Sequence, residues 1–208
     1  MPEDSDLLLV IDVQNDFCPG GALAVPGGDA VVPVINVLGQ HFAHVALTQD
    51  WHPADHQSFA AQHPGRQPFE TIALAYGAQT LWPIHCVQES HGAALHADLA
   101  LPRAELVLRK GFRRAIDSYS AFRENDRATS TGLAGYLRER GVARIYLAGL
   151  ATDFCVAYSA LDAVELGFAA IVIEDACRAI DLDGSLAQSM DRMRAAGVGF
   201  VRAAALAA

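Results

Sequence analysis

Three side chains that could together perform nucleophilic catalysis come at or just after the ends of short aliphatic runs: Asp12, Lys110 and Cys155. A cysteine needs a base to become a strong nucleophile, and a carboxylate directed at its thiol can serve as that base. A nearby lysine would stabilise the thiolate and keep the carboxylate ionised. The three residue types are therefore chemically coherent as a nucleophilic cysteine with its base and a stabilising cation, provided that the fold brings them together.

The segment around Cys155 predicts a buried strand over 145–150, a tight turn and the start of a helix. Gly149 permits a turn that a larger residue would resist. Thr152 or Asp153 is the expected N-cap, which places Cys155 in the first helical turn. Unpaired N–H groups and a positive partial charge at that position favour a thiolate.

Each member of the trio also has a plainer interpretation. Free cysteines are often buried as small hydrophobic residues, so Cys155 can be a packing residue. Asp12 can simply begin a turn, since aspartate is common there, and Lys110 can be a solvated lysine at a strand end. Only the coincidence of three such groups at three strand ends favours catalysis, because parallel strands direct their carboxyl ends to one edge.

A second group of residues suits a divalent transition metal. Asp50 and His52 are two positions apart, so an extended segment would point both side chains the same way, and His85 lies further along the chain. One carboxylate and two imidazoles leave coordination positions open for water or substrate. His56 is a further candidate ligand. A lone Asp-x-His pair can equally be an ordinary feature of a loop.

Two aromatic residues, Phe17 and Trp82, lie in polar loops expected at the same edge of the sheet. Flat rings in such positions can enclose a planar ligand between them. The alternative is that they anchor their loops by ordinary packing.

The elements that must position these groups alternate along the chain, which is typical of an α/β fold. Residues 57–91 are expected to be one long irregular excursion, because His63-Pro64-Gly65 and later breaks interrupt any periodicity. The prediction is a single domain over residues 1–208, with a mostly parallel sheet and helices on both faces. Expected strands cover 7–11, 42–48, 106–108, 145–150, 168–173 and 199–201, and expected helices cover 28–40, 131–140, 153–166 and 185–196.

Composition narrows the classes of partner. The chain has 208 residues, 52% of them hydrophobic, and a net charge of -9. An acidic chain without a basic run disfavours nucleic acid and anionic membranes as partners. No apolar run is long enough to span a bilayer, and the acidic N-terminus does not resemble a signal peptide. A reduced cytoplasmic protein is expected, with its four cysteines free of disulfides.

Taken together, the motifs resemble the nicotinamidases of the isochorismatase-like cysteine hydrolase superfamily. They occur in the family's order and extend from Asp12 to Asp175, nearly the whole chain. The matching segments are Ile11-Asp12-Val13-Gln14-Asn15-Asp16-Phe17, Thr48-Gln49-Asp50-Trp51-His52-Pro53, Trp82-Pro83-Ile84-His85-Cys86-Val87, Lys110-Gly111, Asp117-Ser118-Tyr119-Ser120-Ala121-Phe122 and Gly149-Leu150-Ala151-Thr152-Asp153-Phe154-Cys155-Val156.

The resemblance implies a parallel sheet, six-stranded at its core, and a thioester mechanism. Cys155 would attack the carboxamide carbon of nicotinamide, and Asp12 would carry the thiol proton to the departing ammonia. Lys110 would stabilise the thiolate and keep Asp12 ionised. Backbone N–H groups of Ala151 and Cys155 would form the oxyanion hole. The Leu150–Ala151 bond corresponds to a cis peptide in the family.

The resemblance also implies one divalent metal ion, zinc before iron or manganese, held by Asp50, His52 and His85. His56 aligns with a histidine that binds metal in some relatives only. The pyridine nitrogen would bind the metal directly or through its water, with Phe17 and Trp82 flanking the ring and Tyr119 as a further contact. The partner would be a small molecule, nicotinamide and by extension pyrazinamide, and the protein a monomer or a homo-oligomer.

Rival functions remain open at this point. Isochorismatases lack the nucleophilic cysteine and several ureido hydrolases lack the Asp-x-His pair, but another amidase or ureido hydrolase of the superfamily is still an alternative. A phosphoacceptor signalling module would also place an Asp and a Lys beside a divalent metal, although it would not need Cys155. A non-catalytic ring-binding relative would not need the complete trio.

Overall fold

The computed structural model describes residues 1–206 and contains a six-stranded sheet and a separate two-stranded hairpin. The strands are β1 (Asp6–Ile11), β2 (His44–Asp50), β3 (Thr71–Leu74), β4 (Gly77–Thr80), β5 (Leu106–Lys110), β6 (Arg144–Leu150), β7 (Ala169–Arg178) and β8 (Gly199–Val201). The helices are α1 (Val31–Leu38), α2 (Leu133–Glu139), α3 (Ala157–Glu165) and α4 (Ser185–Ala195). No helix in this part of the chain is long and apolar enough to cross a membrane.

The large sheet is entirely parallel and has the order β5-β2-β1-β6-β7-β8. This confirms the predicted α/β architecture. The chain winds outward from β1 in one direction and from β6 in the other, so the order reverses between these two neighbouring strands. A crevice opens at the carboxyl ends of strands where the order reverses, and that is where α/β folds bind ligands.

Alternation along β1 explains why helices cover both faces of the sheet. Leu8 and Val10 pack in one apolar cluster with α1, whereas Leu7, Leu9 and Ile11 pack in another with α2, α3 and α4. All five side chains are at most 1% exposed. A strand buried on both faces needs apolar residues at every position, which is why this run is continuous.

Several predicted boundaries are wrong by a few residues, and one element was missed. The strand β2 extends to Asp50 and β5 to Lys110, so these polar residues end strands instead of following them. The excursion over 57–91 contains the antiparallel hairpin of β3 and β4, with Gly77 at its turn. The sequence gives little sign of this hairpin because its two strands are each only four residues long and only one of their side chains is buried.

The predicted N-cap at the nucleophile turn is also wrong. Residues Thr152–Val156 form a single π-helical turn that precedes α3, and no side chain caps it. The Asp153 carboxylate instead accepts hydrogen bonds from the backbone N–H groups of Ile180 and Asp181 and from the Ser185 hydroxyl. Asp153 therefore ties the nucleophile turn to the loop before α4. The preceding Leu150–Ala151 peptide is cis.

Gly149 is required by close packing against the neighbouring strand. Its φ is +118°, and a Cβ atom there would lie 2.1 Å from the carbonyl oxygen of Ile11. The register between β6 and β7 shifts at this point, between Leu147 and Gly149. The glycine therefore allows the carboxyl ends of β6 and β1 to lie side by side, just before Cys155 and Asp12.

We expect Gly149→Ala to lower the free energy of unfolding by at least about 2 kcal/mol, since both the positive φ and the Ile11 carbonyl oppose a methyl group. The matched control is Gly135→Ala in α2, where no atom lies within 4 Å of the added Cβ. That change should stabilise the protein by about 0.5–1 kcal/mol through helix propensity. Equilibrium unfolding in urea measures both, and equal effects of the two substitutions would contradict this account.

Candidate active site

The ammonium group of Lys110 joins the predicted trio at the crevice. Its Nζ lies 2.8 Å from Asp12 Oδ2, 2.5 Å from Asp50 Oδ1 and 3.4 Å from Cys155 Sγ. It also donates to the carbonyl oxygen of Ser118 at 3.0 Å. Lys110 is 1% exposed, so it is a buried cation that contacts two carboxylates and a thiol. This excludes the interpretation of Lys110 as a solvated strand-end lysine.

Asp12 is completely buried, with a hydrogen bond to one carboxylate oxygen and an ion pair to the other. The Thr48 hydroxyl donates to Asp12 Oδ1 at 2.6 Å, and Lys110 contacts the other oxygen. The backbone φ of Asp12 is +49°, a left-handed conformation that turns the chain sharply after β1. Carboxylate oxygens of Asp12 and Asp50 and the Sγ of Cys155 all lie within 4.8 Å of one another.

Burial determines the resting protonation of the Asp12–Cys155 pair. Burial raises the pKa of the Asp12 carboxyl to about 6, against the opposing effect of Lys110. Burial also raises the pKa of the Cys155 thiol well above its ordinary value, and Lys110 only partly offsets this. At neutral pH the geometry therefore favours an ionised Asp12 beside a protonated thiol, whereas the sequence had indicated a resting thiolate.

The predicted metal ligands also converge. The Nε2 atoms of His52 and His85 lie 3.6 Å and 4.0 Å from Asp50 Oδ2. The opposite ring nitrogens face backbone carbonyl oxygens at 2.8 Å, those of Gly111 and Pro83 respectively. An Nδ1–H that donates to a carbonyl leaves the Nε2 lone pair free, which is the tautomer that metal-binding histidines use.

Electrostatics support this protonation for His85 and Asp50. At His52, burial opposes the charged form, but the Asp50 carboxylate raises the pKa of the imidazole above its ordinary value. Burial, reinforced by His52, lowers the pKa of His85 to about 4, so its imidazole is neutral at pH 7. Burial would raise the pKa of Asp50, but Lys110 and the two imidazoles lower it below its ordinary value. A neutral imidazole and an ionised carboxylate are the forms that bind a divalent cation.

His56 lies next to these ligands, but both of its ring nitrogens have protein partners. Its ring centroid is 4.4 Å from that of His52. Its Nδ1 accepts a hydrogen bond from the backbone N–H of Ser58 and lies 2.7 Å from the Ser58 hydroxyl, while Nε2 lies 3.3 Å from the carbonyl oxygen of Ile116. The acceptor role of Nδ1 places the proton on Nε2, so His56 would have to leave Ile116 to bind a metal.

Cys155 and the candidate metal ligands Asp50, His52 and His85 line a single cleft, with about 340 Å³ not occupied by protein atoms when its open mouth is counted. Asp12 and Lys110 are buried and do not line it. Phe17, Trp82 and Tyr119 all line it, as the sequence indicated, and Phe154 adds a fourth ring. Trp82 meets Phe154 edge-on at a centroid distance of 4.9 Å. A cleft with aromatic walls and a few convergent polar groups suits a small planar ligand.

The backbone at the expected oxyanion hole also faces this cleft, which both Ala151 and Cys155 line. The carbonyl oxygen of Ala151 accepts hydrogen bonds from Phe154 and Val156. Within residues 1–206, the N–H of Ala151 donates to no backbone or side-chain acceptor. This leaves a donor available beside the thiol.

Two supporting residues were missed by the sequence reasoning. Thr48 orients Asp12, and the Gln14 amide both donates to the carbonyl and accepts from the N–H of Asp50, each at 2.8 Å. Thr48 gave a signal, since it is a polar residue at the end of an apolar run and on the strand next to β1. Gln14 gave none, because its partner lies 36 positions away.

Comparison with known proteins places this geometry in a family. A model of the isochorismatase domain matches residues 6–205. The chain belongs to the isochorismatase domain family. A curated nicotinamidase of this family from Acinetobacter baylyi is 59% identical over 191 residues, which cover 92% of this chain and 89% of the relative.

Solved structures agree with this family assignment. A nicotinamidase and pyrazinamidase from Acinetobacter baumanii has a TM-score of 0.98 at 56% identity, covering 99% of this chain and 100% of its own. A pyrazinamidase from Pyrococcus horikoshii, solved in complex with zinc, has a TM-score of 0.77 at 33% identity, covering 95% of this chain and 99% of its own. The isochorismatase-like hydrolase fold predicted from the motifs is thereby confirmed.

Gly111 offers a test of the metal-ligand arrangement. A Cβ atom there would lie 2.4 Å from His52 Cε1 and 2.7 Å from His52 Nδ1. We expect Gly111→Ala to displace the imidazole and to weaken Zn²⁺ binding at least about tenfold, as loss of a ligand's hydrogen-bonding partner does. Competition with a chromogenic chelator measures the affinity.

The matched control for this test is Gly65→Ala. Gly65 also has a positive φ, +79°, but no atom lies within 4 Å of an added Cβ. It therefore carries comparable backbone strain without the clash, and its Zn²⁺ affinity should equal that of the wild type. Unchanged affinity in Gly111→Ala would contradict the role assigned to His52.

Proposed function

We propose that this protein is a nicotinamidase, a cysteine amidohydrolase that converts nicotinamide to nicotinate and ammonia and also accepts pyrazinamide. The observation that carries the proposal is that Asp12 and Lys110 meet Cys155, and that Cys155 shares one aromatic cleft with a carboxylate–imidazole set. The high identity to a curated nicotinamidase supports the choice of substrate. The reaction would serve NAD salvage, with a small molecule as partner and the cytoplasm as its location.

In the first half of the reaction, Cys155 Sγ attacks the carboxamide carbon while Asp12 takes the thiol proton. Ionised Asp12 and protonated Cys155 are the forms that this step requires. The N–H groups of Ala151 and Cys155 stabilise the negative oxygen that develops on the substrate. Asp12 then returns its proton to the amide nitrogen, the carbon–nitrogen bond breaks, and ammonia leaves a thioester on Cys155.

In the second half, Asp12 accepts a proton from a water molecule as that water attacks the thioester carbon. Collapse of this adduct breaks the carbon–sulfur bond, and the thiolate of Cys155 recovers its proton from Asp12. Nicotinic acid is released and loses its remaining proton to solvent to become nicotinate. Lys110 stays protonated throughout, because its two carboxylate partners raise its pKa well above the ordinary value although burial opposes them. Its positive charge compensates the thiolate whenever that forms.

Asp50, His52 and His85 fit a divalent metal ion, because two free Nε2 lone pairs face one carboxylate oxygen. Zinc is the first choice, with iron and manganese as alternatives, and His56 is a further candidate ligand. When bound, the ion would act as a Lewis acid that anchors the pyridine nitrogen. Phe17, Trp82 and Tyr119 would then hold the ring between the metal side and Cys155.

The rival phosphoacceptor function finds little support in this geometry. Asp50 does provide an acidic neighbour for Asp12 at the next strand end, which the sequence did not indicate. However, Asp12 has no exposed surface, and both of its oxygens already face Thr48 or Lys110. A buried carboxylate of this kind suits proton transfer to a neighbouring thiol better than attack on an incoming phosphoryl group.

The direct test is ammonia release from nicotinamide by the purified protein. We expect turnover that falls at least about tenfold after metal is removed with a chelator and returns when Zn²⁺, Mn²⁺ or Fe²⁺ is added. Protein dialysed without chelator is the control. Release that is indifferent to chelation would contradict the metal assignment alone. Absence of release from both nicotinamide and pyrazinamide would overturn the proposed function and favour another amide or ureido substrate.

Substitutions in the trio should separate chemistry from binding. Cys155→Ala and Asp12→Asn should each lower kcat at least about a thousandfold, because no nucleophile or no proton acceptor remains. Cys177→Ala is the control, since Cys177 is a buried free thiol whose Sγ faces the carbonyl oxygen of Leu147 and not Lys110. Substantial activity in Asp12→Asn would refute its role as the base.

The pH dependence of the wild type tests the same base. In the wild type, kcat/KM should fall as the pH drops through about 6, since Asp12 becomes protonated there.

A further inference from the structure

A buried glutamine on the β3–β4 hairpin contacts Tyr119, one of the aromatic residues that line the cleft. Gln79 lies on β4 and is 1% exposed. Its Nε2 donates to the hydroxyl oxygen of Tyr119 at 3.0 Å and to Asp117 Oδ2 at 2.9 Å, and it also faces the carbonyl oxygen of Thr80 at 2.6 Å. Gln79 does not line the cleft itself, whereas Tyr119 does.

The same Tyr119 hydroxyl holds the tryptophan of the cleft. Trp82 Nε1 donates to it at 3.1 Å. Two donors, one from Gln79 and one from Trp82, therefore converge on a single oxygen and together use its acceptor capacity. The position of this oxygen determines where the indole and the phenol ring stand, and both rings also meet Phe154 edge-on.

The other end of the Gln79 amide fixes its orientation. Its Oε1 accepts hydrogen bonds from the Tyr76 hydroxyl at 2.9 Å and from Asn125 Nδ2 at 3.2 Å. With donors on the Oε1 side and acceptors on the Nε2 side, a flipped amide would lose contacts at both ends. The amide therefore has one favoured orientation, with its donors directed toward Tyr119 and Asp117.

We propose that Gln79 is a positioning residue for substrate binding. It holds the rings of Tyr119 and Trp82, which form one aromatic wall of the cleft, in the position where they pack against the aromatic ring of the substrate. The inference rests on the proposed function, because it assigns that wall to the ring of an aromatic amide. Gln79 acts through Tyr119 and touches neither the substrate nor Cys155. Its loss leaves the Tyr119 oxygen with one donor fewer and frees the phenol and indole rings to move together.

The first test is Gln79→Leu, a substitution that keeps an apolar stem of similar size without the amide. KM for nicotinamide should rise about tenfold, the factor expected when a buried hydrogen bond that orders the binding wall is lost. The value of kcat should stay within about threefold, since this wall contributes binding common to the ground state and the transition state. A KM equal to that of the wild type would overturn the inference.

A double-mutant cycle identifies the route of the effect. Tyr119→Phe removes the oxygen that both donors share and should raise KM at least as much as Gln79→Leu. If Gln79 acts through that oxygen, the double variant should have the KM of Tyr119→Phe alone. If the two substitutions acted independently, their effects would multiply and KM would rise about a hundredfold. That result would overturn the proposal that Gln79 acts through the Tyr119 oxygen.

Tyr76→Phe is the control for a merely structural role. It removes one of the two donors to Gln79 Oε1 and a 3.4 Å hydrogen bond from the Asp117 N–H, but Asn125 still donates to Oε1 and the contacts of Nε2 remain. It should therefore lower the unfolding temperature slightly without changing KM. A Tyr76→Phe variant with the same rise in KM would mean that hairpin stability alone sets binding, which would overturn the inference. Gln79→Met replaces the leucine variant if that variant does not fold, because its unbranched thioether is close in length to the amide side chain and carries no donor for Tyr119.

The wild-type protein separates this inference from the proposed function. If the wild type hydrolyses neither nicotinamide nor pyrazinamide, the proposed function fails and KM is undefined. The link between Gln79 and Trp82 is then read from the tryptophan fluorescence spectrum, which Gln79→Leu and Tyr119→Phe should shift alike and Tyr76→Phe should not. If the wild type is active but Gln79→Leu binds normally, only the inference about Gln79 fails.

Discussion

The contacts of one buried ammonium group hold the whole site together. Lys110 Nζ touches a carboxylate from β1, a carboxylate from β2, the thiol after β6 and the carbonyl oxygen of Ser118. Two carboxylates and a thiol this close would repel one another on ionisation, so the cation is what permits them to share a dry pocket. Because Asp50 belongs also to the candidate metal-ligand set, Lys110 connects the Asp12–Cys155 side of the site to the His52–His85 side.

The parallel sheet makes this convergence possible. Asp12, Asp50, Lys110 and the Cys155 turn come from neighbouring strands, and all of these strands end at the same edge because they run in the same direction. The order reverses between β1 and β6, so the connections leave in opposite directions and open the cleft at that point. Gly149 brings the two strand ends close enough for Asp12 to face the thiol.

Support for the site comes largely from groups that do no chemistry. Carbonyl oxygens of Gly111 and Pro83 set the two histidine tautomers, and Thr48 fixes Asp12. On the substrate side, the hairpin contributes Gln79, which lies behind the aromatic wall. Such contacts hold a reactive geometry more accurately than the reactive residues could hold themselves, since each side chain is left with few alternative rotamers.

The sequence alone predicted the large sheet, its helices and the candidate reactive residues, because hydrophobic runs and their polar ends are local patterns. The run at residues 7–11 predicts a central strand without knowledge of its neighbours, and Asp12, Lys110 and Cys155 are visible as polar interruptions. Tertiary structure alone decided the protonation of Cys155, the partners of His56 and Asp153, and the role of the β3–β4 hairpin. These properties depend on burial and on partners dozens of positions away, such as Asp117 and Tyr119 for Gln79, and no local pattern records them.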